Sequence, residues 1–452
     1  MSIVASPPDK NEIFLAGKEG FLEIFRKSST QEFQEILRMG NHRYLHWHKF
    51  RYYQPVPEGI THEELWAFLK LGREANKKFV PIQDKNQEFF SYWVPDSLFR
   101  LFHEIDMFGG GTITVDRPGI LPAKEQYIVS SLMEEAIASS QLEGAATTRQ
   151  VAKKMLRTGR EPKDRSEQMI LNNWETMQYI REHRNEKFTP ERILDLHKII
   201  TAKTLREPEE AGKFRTSDDI IIEYNGETIH VPPRARTLGD RIQGLCDFAN
   251  QDPEENWIHP VFKGAMIHFA LAYDHPFVDG NGRTARALMY WYMLSRNYVL
   301  FEYMAISRYI QRSPAKYVQA FLFTETDSND LTYFLFYNLK AMRRALEDLK
   351  KYIERKQREV ADSNVQLRNL RGLNPRQKAL VYHAISHPLA TYTFEAHRSH
   401  HAVVYQTARQ DLLDLTKQGY LEKEKQGKEF VFFPSKKIEV KLRKSKIKKK
   451  QG

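Results

Sequence analysis

The sequence predicts a mainly α protein, with a helical bundle as its core, one small β-hairpin within it and a smaller mixed domain near the C-terminus. Three observations carry this. Stretches such as 124–141, 283–295 and 340–369 have helical composition or apolar residues at helical spacing. Against that background, two β-prone runs stand out around an Asn-Gly pair at 225–226. The chain has 452 residues, 41% hydrophobic and 28% charged, an ordinary soluble composition with room for two or three domains.

In chain order, residues 1–110 are rich in aromatic side chains and read as a mostly helical N-terminal extension. His42, His46, Trp47 and His48 lie close together there. No cysteine accompanies them and the spacing fits no familiar zinc pattern, so aromatic packing is the reading. Gly109-Gly110-Gly111 marks a break before Pro118, and a core follows over 111–339. Pro122 stands where a helix can begin and Gly144 where one can end, which gives a helical segment over 124–144. Residues 220–224 and 227–231 flank Asn225-Gly226 as a hairpin within 219–233, and Gly212-Lys213-Phe214-Arg215 precedes it. Residues 307–320 and 330–339 read as the closing helices of the core, and 340–372 as a charged connecting helix. Residues 373–434 then run helix at 375–386, Tyr392-Thr393-Phe394, helix at 403–418 and a β-prone pair around Gln426-Gly427, an order that reads as a winged helix. Residues 435–452 form a basic tail expected to be disordered.

The chemistry is concentrated in residues 275–286, His-Pro-Phe-Val-Asp-Gly-Asn-Gly-Arg-Thr-Ala-Arg. His275 is a side chain whose ordinary pKa lets it accept a proton near neutrality. Asp279 is a hard oxygen ligand suited to Mg²⁺, which binds one or two carboxylates plus phosphate oxygens. Gly280, Asn281 and Gly282 can turn backbone N–H groups toward an anion, and the helical spacing after them adds a helix N-terminus. Arg283 and Arg286, three apart, share one helical face and could fork onto further phosphates. Together these residues describe a nucleotide site. Phe277, an aromatic in the same run, reads as the anchor of the loop in the core.

This run resembles the Fic (filamentation induced by cAMP) family motif, His-x-Phe-x-Asp/Glu-Gly-Asn-Gly-Arg-x-x-Arg, at all eight specified positions. The resemblance implies a Fic-type helical bundle, with the hairpin at 219–233 as a flap that holds a target segment by main-chain pairing. It implies transfer of AMP from ATP, with Mg²⁺, to a Ser, Thr or Tyr hydroxyl of a target protein. His275 would then be the base and Asp279 the metal ligand. The turn 280–282 and the Asn281 amide would cradle the α- and β-phosphates, with Arg283 on the β- and Arg286 on the γ-phosphate. Relatives that transfer phosphate carry lysine where this chain has Gly282, which argues against a kinase. Relatives also contact the adenine with tyrosine in the region of Tyr317, a candidate contact whose alternative is core packing.

Ser139-Ser140-Gln141-Leu142-Glu143-Gly144 is similar to the family's autoinhibitory motif, Ser/Thr-x-x-x-Glu-Gly/Asn, at Ser139, Glu143 and Gly144. A carboxylate in the last turn of a helix opposes the helix dipole and needs compensation, which an arginine can supply. The resemblance implies that Glu143 pairs with Arg286 and denies it to the γ-phosphate. In some relatives the same glutamate also serves removal of AMP from the modified target, so a bifunctional enzyme stays open. The N-terminal extension and the winged helix resemble parts appended to other Fic proteins. Gln406 and Arg409 on the helix at 403–418 could reach DNA bases or phosphates. A DNA-associated regulatory protein, with a core that senses nucleotide without turnover, is therefore the alternative reading.

The formal net charge is +11, but residues 436–452 carry nine Lys or Arg and one Glu, so the rest of the chain is nearly balanced. Polyanion binding by the whole surface is thus not implied. The single cysteine, Cys246, cannot form an internal disulfide. The first residues show no secretory signal pattern and no run is long and apolar enough to span a membrane, so a cytoplasmic location is expected. Whether the chain is a homodimer stays open.

Overall fold

The computed structural model describes residues 4–15, 25–26, 28–53, 56–109, 124–368, 372–387, 390–401, 403–426 and 429–435. The chain divides into two compact units, residues 1–350 and 351–452.

At the centre of the first unit lie the helices Pro260–Asp274 and Asn281–Ser295, joined by the loop that carries the motif. Both are buried nearly all round, which their apolar residues permit: Val261, Phe262, Met266 and Phe269 in one, Leu288, Met289, Trp291 and Met293 in the other. Gly264 lets them pack closely, since a Cβ there would stand 2.8 Å from the Met293 sulfur. Packed against this pair are Lys124–Leu142, Arg165–Glu182 and Pro190–Thr201, the last two started by Asp164 and Thr189 caps. Between Pro190–Thr201 and Leu238–Asn250 the hairpin Ile222–Tyr224 and Glu227–His230 turns through Asn225 (φ 52°) and Gly226 (φ 80°), the positive pair that a two-residue turn demands.

Several elements differ from the sequence-based expectation. The N-terminal part is helical but also contains an antiparallel pair, Lys78–Gln83 with Phe89–Tyr92, which ties to the core where Ser91 bonds Asn329 and Leu331. The closing helix over 307–320 is two helices, Ser307–Gln311 and Pro314–Thr326, because the residue before a proline is driven out of the helical region and Ser313 sits at φ −148°. Conversely, the boundary at 339/340 does not interrupt a helix. Thr332–Arg368 is continuous, with no glycine or proline in it, and Leu335, Leu339, Met342, Leu346 and Leu349 keep a buried stripe running through the expected junction. His46 packs as an aromatic, its ring stacked on Phe323 at 4.3 Å, and burial pushes its pKa down to about 3. The glycine-rich break lies largely outside the described residues, as do the turn at 427–428 and the tail from 436.

The second unit has its own core, with Val381, Phe394, Leu412, Leu415 and Phe432 at its centre. Its elements run Pro375–Ser386, Phe394–His401, Tyr405–Lys417 and the antiparallel pair Leu421–Gln426 with Glu429–Pro434, while Tyr392 bridges to Phe432. The helix Phe394–His401 is not expected from the sequence, and the helix that follows runs Tyr405–Lys417. Asp411, buried, accepts from Asn374, Arg376 and His397 and so draws three segments together. Gln406 and Arg409 are exposed. Among the described residues no helix is long and apolar enough to cross a membrane.

Candidate active site

His275 closes the helix Pro260–Asp274 in the left-handed region, at φ 46°, a costly backbone for a non-glycine residue that persists only where the surroundings impose it. Those surroundings are visible. Arg215, buried, donates from Nε to the His275 carbonyl at 2.9 Å and from its backbone N–H to the Pro276 carbonyl at 2.9 Å. It also donates to Pro233, at the end of the hairpin segment. Phe277 is fully buried and stacks on His197, centroids 3.7 Å apart. His197 Nδ1 accepts from the Gly212 N–H at 3.0 Å, which puts its proton on Nε2 for donation to the Asp279 carbonyl at 2.9 Å. Gly280 sits at φ 85°, and a Cβ there would lie 2.9 Å from Thr201 Cγ2.

The His275 ring keeps Nδ1 toward the Ala272 carbonyl at 3.4 Å. A proton on Nδ1 leaves the Nε2 lone pair free to act as a base. Burial, the dominant cause, pushes the imidazole pKa down to about 4, so the ring is neutral at physiological pH.

Two charged clusters flank this base. On one side, Asp279 accepts from the Gly280 N–H, from Arg283 Nη2 at 3.3 Å and from Arg165 Nη2 at 2.9 Å. Arg283 also donates to the Ile200 carbonyl at 3.0 Å and is buried. A solvent-open cavity of about 600 Å³ adjoins Arg165, lined also by Lys163, Lys203 and Arg206. On the other side, Arg286 donates from Nε to Ser139 Oγ at 2.9 Å, and from Nη2 to the Ser139 carbonyl at 3.0 Å and Glu143 Oε1 at 2.9 Å. Tyr317 lies beside this pair, its hydroxyl 2.8 Å from His268 Nε2, and burial pushes the phenol up to about 12.

The position of Glu143 is the decisive feature. Its Oε1 lies only 2.2 Å from where a Cβ on Gly282 would stand, so the carboxylate fills the space that glycine leaves over the first turn of Asn281–Ser295. That is where helix N–H groups and dipole favour an anion. The carboxylate is thus unfavourably placed at the end of its own helix, yet is compensated by Arg286 and by the start of another. Gly144, at φ 91°, ends the first helix there.

Residues 187–293 match the model of the Fic/DOC family. Over 170 residues the chain is 30% identical to "Protein adenylyltransferase Fic" of Nematostella vectensis, a match covering 37% of each chain. It is 36% identical over 106 residues to the protein of that name from Drosophila willistoni, covering 24% of this chain and 20% of that one. The matches therefore span less than half the length of these relatives. In fold, the chain resembles the crystal structure of a Fic family protein from Desulfovibrio desulfuricans G20, with a TM-score of 0.54 at 17% identity over 76% of this chain and 98% of that one.

The structure gathers His275, Asp279, residues 280–282, Arg283 and Arg286 with Ser139, Glu143 and Gly144, and sets Tyr317 beside Arg286. Asn281 departs from its expected role in one respect. Its side chain accepts from the Phe277 N–H at 2.9 Å and donates to the Phe277 carbonyl at 2.8 Å, so the amide fastens the loop and only its backbone can face an anion. Other participants escaped the sequence reading. Arg165, His197 and Arg215 are ordinary residues until the fold brings them to the loop. Asn173, a polar residue in a helical stretch, donates to Ser140 Oγ at 3.0 Å and holds the Glu143 helix. Glu135, fully buried on that helix, accepts from the Tyr290 hydroxyl at 2.8 Å and the Ser307 N–H at 2.9 Å. Burial pushes its carboxyl pKa up.

Proposed function

We propose that the chain is a protein adenylyltransferase restrained in cis by Glu143, transferring AMP from ATP to a Ser, Thr or Tyr hydroxyl of a target protein. The observation that carries this reading is the Glu143 carboxylate lying over Gly282 and bonded to Arg286, in the space a phosphate would need. In the active arrangement His275 Nε2 takes the target hydroxyl proton as that oxygen bonds to the α-phosphorus. The bond from the α-phosphorus to the bridging oxygen breaks, and pyrophosphate leaves with its electron pair. Backbone N–H groups of 280–282 and the start of the following helix orient the phosphates, with Arg283 on the β- and Arg286, once released, on the γ-phosphate. Asp279, partly open to solvent, fits Mg²⁺, which would neutralise charge on the departing pyrophosphate. Tyr317 borders the nucleotide. The hairpin Ile222–Tyr224 and Glu227–His230 offers the target segment a strand edge. Residues 373–434 are read as a winged helix, supported by their element order and by the three segments drawn onto Asp411.

Labelled ATP with Mg²⁺ tests this reading on the wild type, Glu143→Gly and His275→Ala. Stronger labelling of the chain or a target by Glu143→Gly, and none by His275→Ala, is expected. Equal labelling by all three would sink it.

A further inference from the structure

A second cavity, of about 730 Å³, opens in the first unit between the N-terminal extension, the helix Pro314–Thr326 and the first half of Thr332–Arg368. Its size is that of a small-molecule site. Around it stand Arg43, Lys49, Lys316, Lys340, Arg343 and Arg344, and Glu104, with Arg100 and Arg343 each 3.7 Å from it, is the one acidic residue in the lining. Arg43, Lys49, Lys316, Lys340 and Arg344 form no ion pair among the described residues. Lys49 and Lys340 instead lie over the Phe323 and Phe336 rings, at 5.6 and 5.1 Å.

So many cations of one sign around a concavity repel one another. Burial lowers the Lys340 pKa most, and Lys49, Arg343, Arg344 and Lys316 lower it further; Lys49 is lowered by burial and then by Lys316. Surfaces ordinarily intersperse opposite charges, and a low-dielectric cleft lined by one sign focuses the field on a counter-ion. Tyr337 also lines the cavity. The Tyr337 hydroxyl, buried, has no hydrogen-bond partner among the described residues and is a donor lacking an acceptor. The Tyr337 ring packs against Tyr317 at 5.7 Å, and none of residues 275–286 is in the cavity lining.

We propose that this cavity binds a polyphosphate chain, carried by a nucleoside triphosphate or free as tripolyphosphate, at a site separate from the catalytic loop. The cations take the phosphate oxygens.

Calorimetric titration of the full chain with tripolyphosphate, and separately with ATP, tests the assignment. The variants are Arg286→Gln, which weakens the catalytic cradle, the double variant Lys316→Gln/Lys340→Gln, and Arg344→Gln. All three cavity side chains are exposed, so their loss should leave the fold intact. Tripolyphosphate binding that persists in Arg286→Gln and weakens at least about tenfold in the double lysine variant, the effect of losing two charge-assisted contacts, is expected. Arg344→Gln should weaken it less. ATP binding at least about tenfold tighter than tripolyphosphate would assign the nucleotide as the source, and equal affinities the phosphate chain alone. The proposal is overturned if Arg286→Gln abolishes binding of both ligands, or if the lysine variant binds them as the wild type does. It is equally overturned if these lysines retain duplex DNA while neither small ligand binds.

Discussion

The catalytic loop 275–286 and the helix end 139–144 meet at Arg286, and they are built in opposite ways. The loop is fixed from beneath by contacts to its own backbone. Arg215 holds the His275 and Pro276 carbonyls, His197 the Asp279 carbonyl, and Asn281 both polar groups of Phe277. None of these uses the His275 ring, the Asp279 carboxylate or the N–H groups that the proposed reading turns toward a phosphate. The helix end is anchored by side chains well behind its tip, at Glu135 and Ser140, while its acting group leans on the loop through one ion pair. Exposure marks the contrast, with the Arg286 side chain 2% and the Glu143 side chain 28% exposed. A rigid cradle and a detachable carboxylate are what control by displacement requires, because only the second must move. On the proposed reading the pair would restrain the site, and its glutamate side is open enough for the pair to be lost without exposing a core.

The largest effect that could break this contrast is removal of the base. In a Glu143→Gly background, His275→Ala should lower the labelling rate by about 10²- to 10⁴-fold, the usual contribution of a positioned general base. Retained labelling, measured with radioactive ATP, would mean that the loop does not aim this imidazole at the acceptor. Next in size is Glu143→Gly alone. A buried ion pair of a few kcal/mol would give about a 10²-fold rise on release, and the partial exposure of Glu143 brings the expectation nearer tenfold. A thermal melt sharpens the comparison, since loss of a detachable group should change the melting temperature by no more than a few degrees, whereas Arg286→Ala, which removes a buried side chain with three bonds, should cost more.

The cradle itself is probed by His197→Asn and Arg215→Lys. Each leaves the chemical groups in place while loosening one backbone contact, so kcat should fall about tenfold in the Glu143→Gly background with the KM for ATP little changed. A rise in KM with unchanged kcat would show instead that these residues serve nucleotide affinity.

Why the loop was legible and its supports were not follows from the same architecture. Residues 275–286 are contiguous, so the chemistry is spelled out in order and needs no tertiary knowledge. His197 and Arg215 act across 82 and 60 residues of chain, and nothing in their local sequence marks them. Glu143 could be assigned only because a short pattern surrounds it, whereas Asn173 and Glu135, which seat its helix, look like ordinary helix residues. For the fold, strong local punctuation was readable. The Asn-Gly turn at 225–226 and Asn374-Pro375, a capped start with proline at the first position, are of this kind. The pair Lys78–Gln83 and Phe89–Tyr92 was missed because its β-prone runs, Phe79-Val80 and Phe89-Phe90, are short and broken by Pro81 and polar residues. The continuity of Thr332–Arg368 is masked in the sequence by a shift in charge near 340, while the buried leucines continue across it.

The smallest effect concerns pH, and it separates loop and helix end by the type of group each buries. Burial pushes six imidazoles in the first unit down, His48 and His259 among them, with His275 and His197 at about 4 and His46 and His268 at about 3. In the unfolded chain each would titrate near 6.5. As pH falls through that value the unfolded state takes up protons that the folded state refuses, so stability declines below about 6.5 and continues to decline until the folded pKa is reached. Glu135 acts in the other direction. Its folded pKa is raised, so protonation near and below that pKa favours the folded state and offsets part of the loss at the helix. The net expectation is a melting temperature that drops by at least about 5 °C between pH 7 and pH 5, since six depressed imidazoles outweigh the two raised carboxyls, Glu135 and Asp274. His268→Gln, which removes one of the most depressed groups, should flatten that slope. Activity should not follow stability over this interval. With its pKa near 4, His275 stays unprotonated at pH 5, so the initial rate of Glu143→Gly, measured before unfolding, should hold between pH 7 and pH 5. A rate that halves near pH 6.5 would mean that the His275 ring is solvated in the working enzyme, and that the loop is looser than its backbone contacts imply.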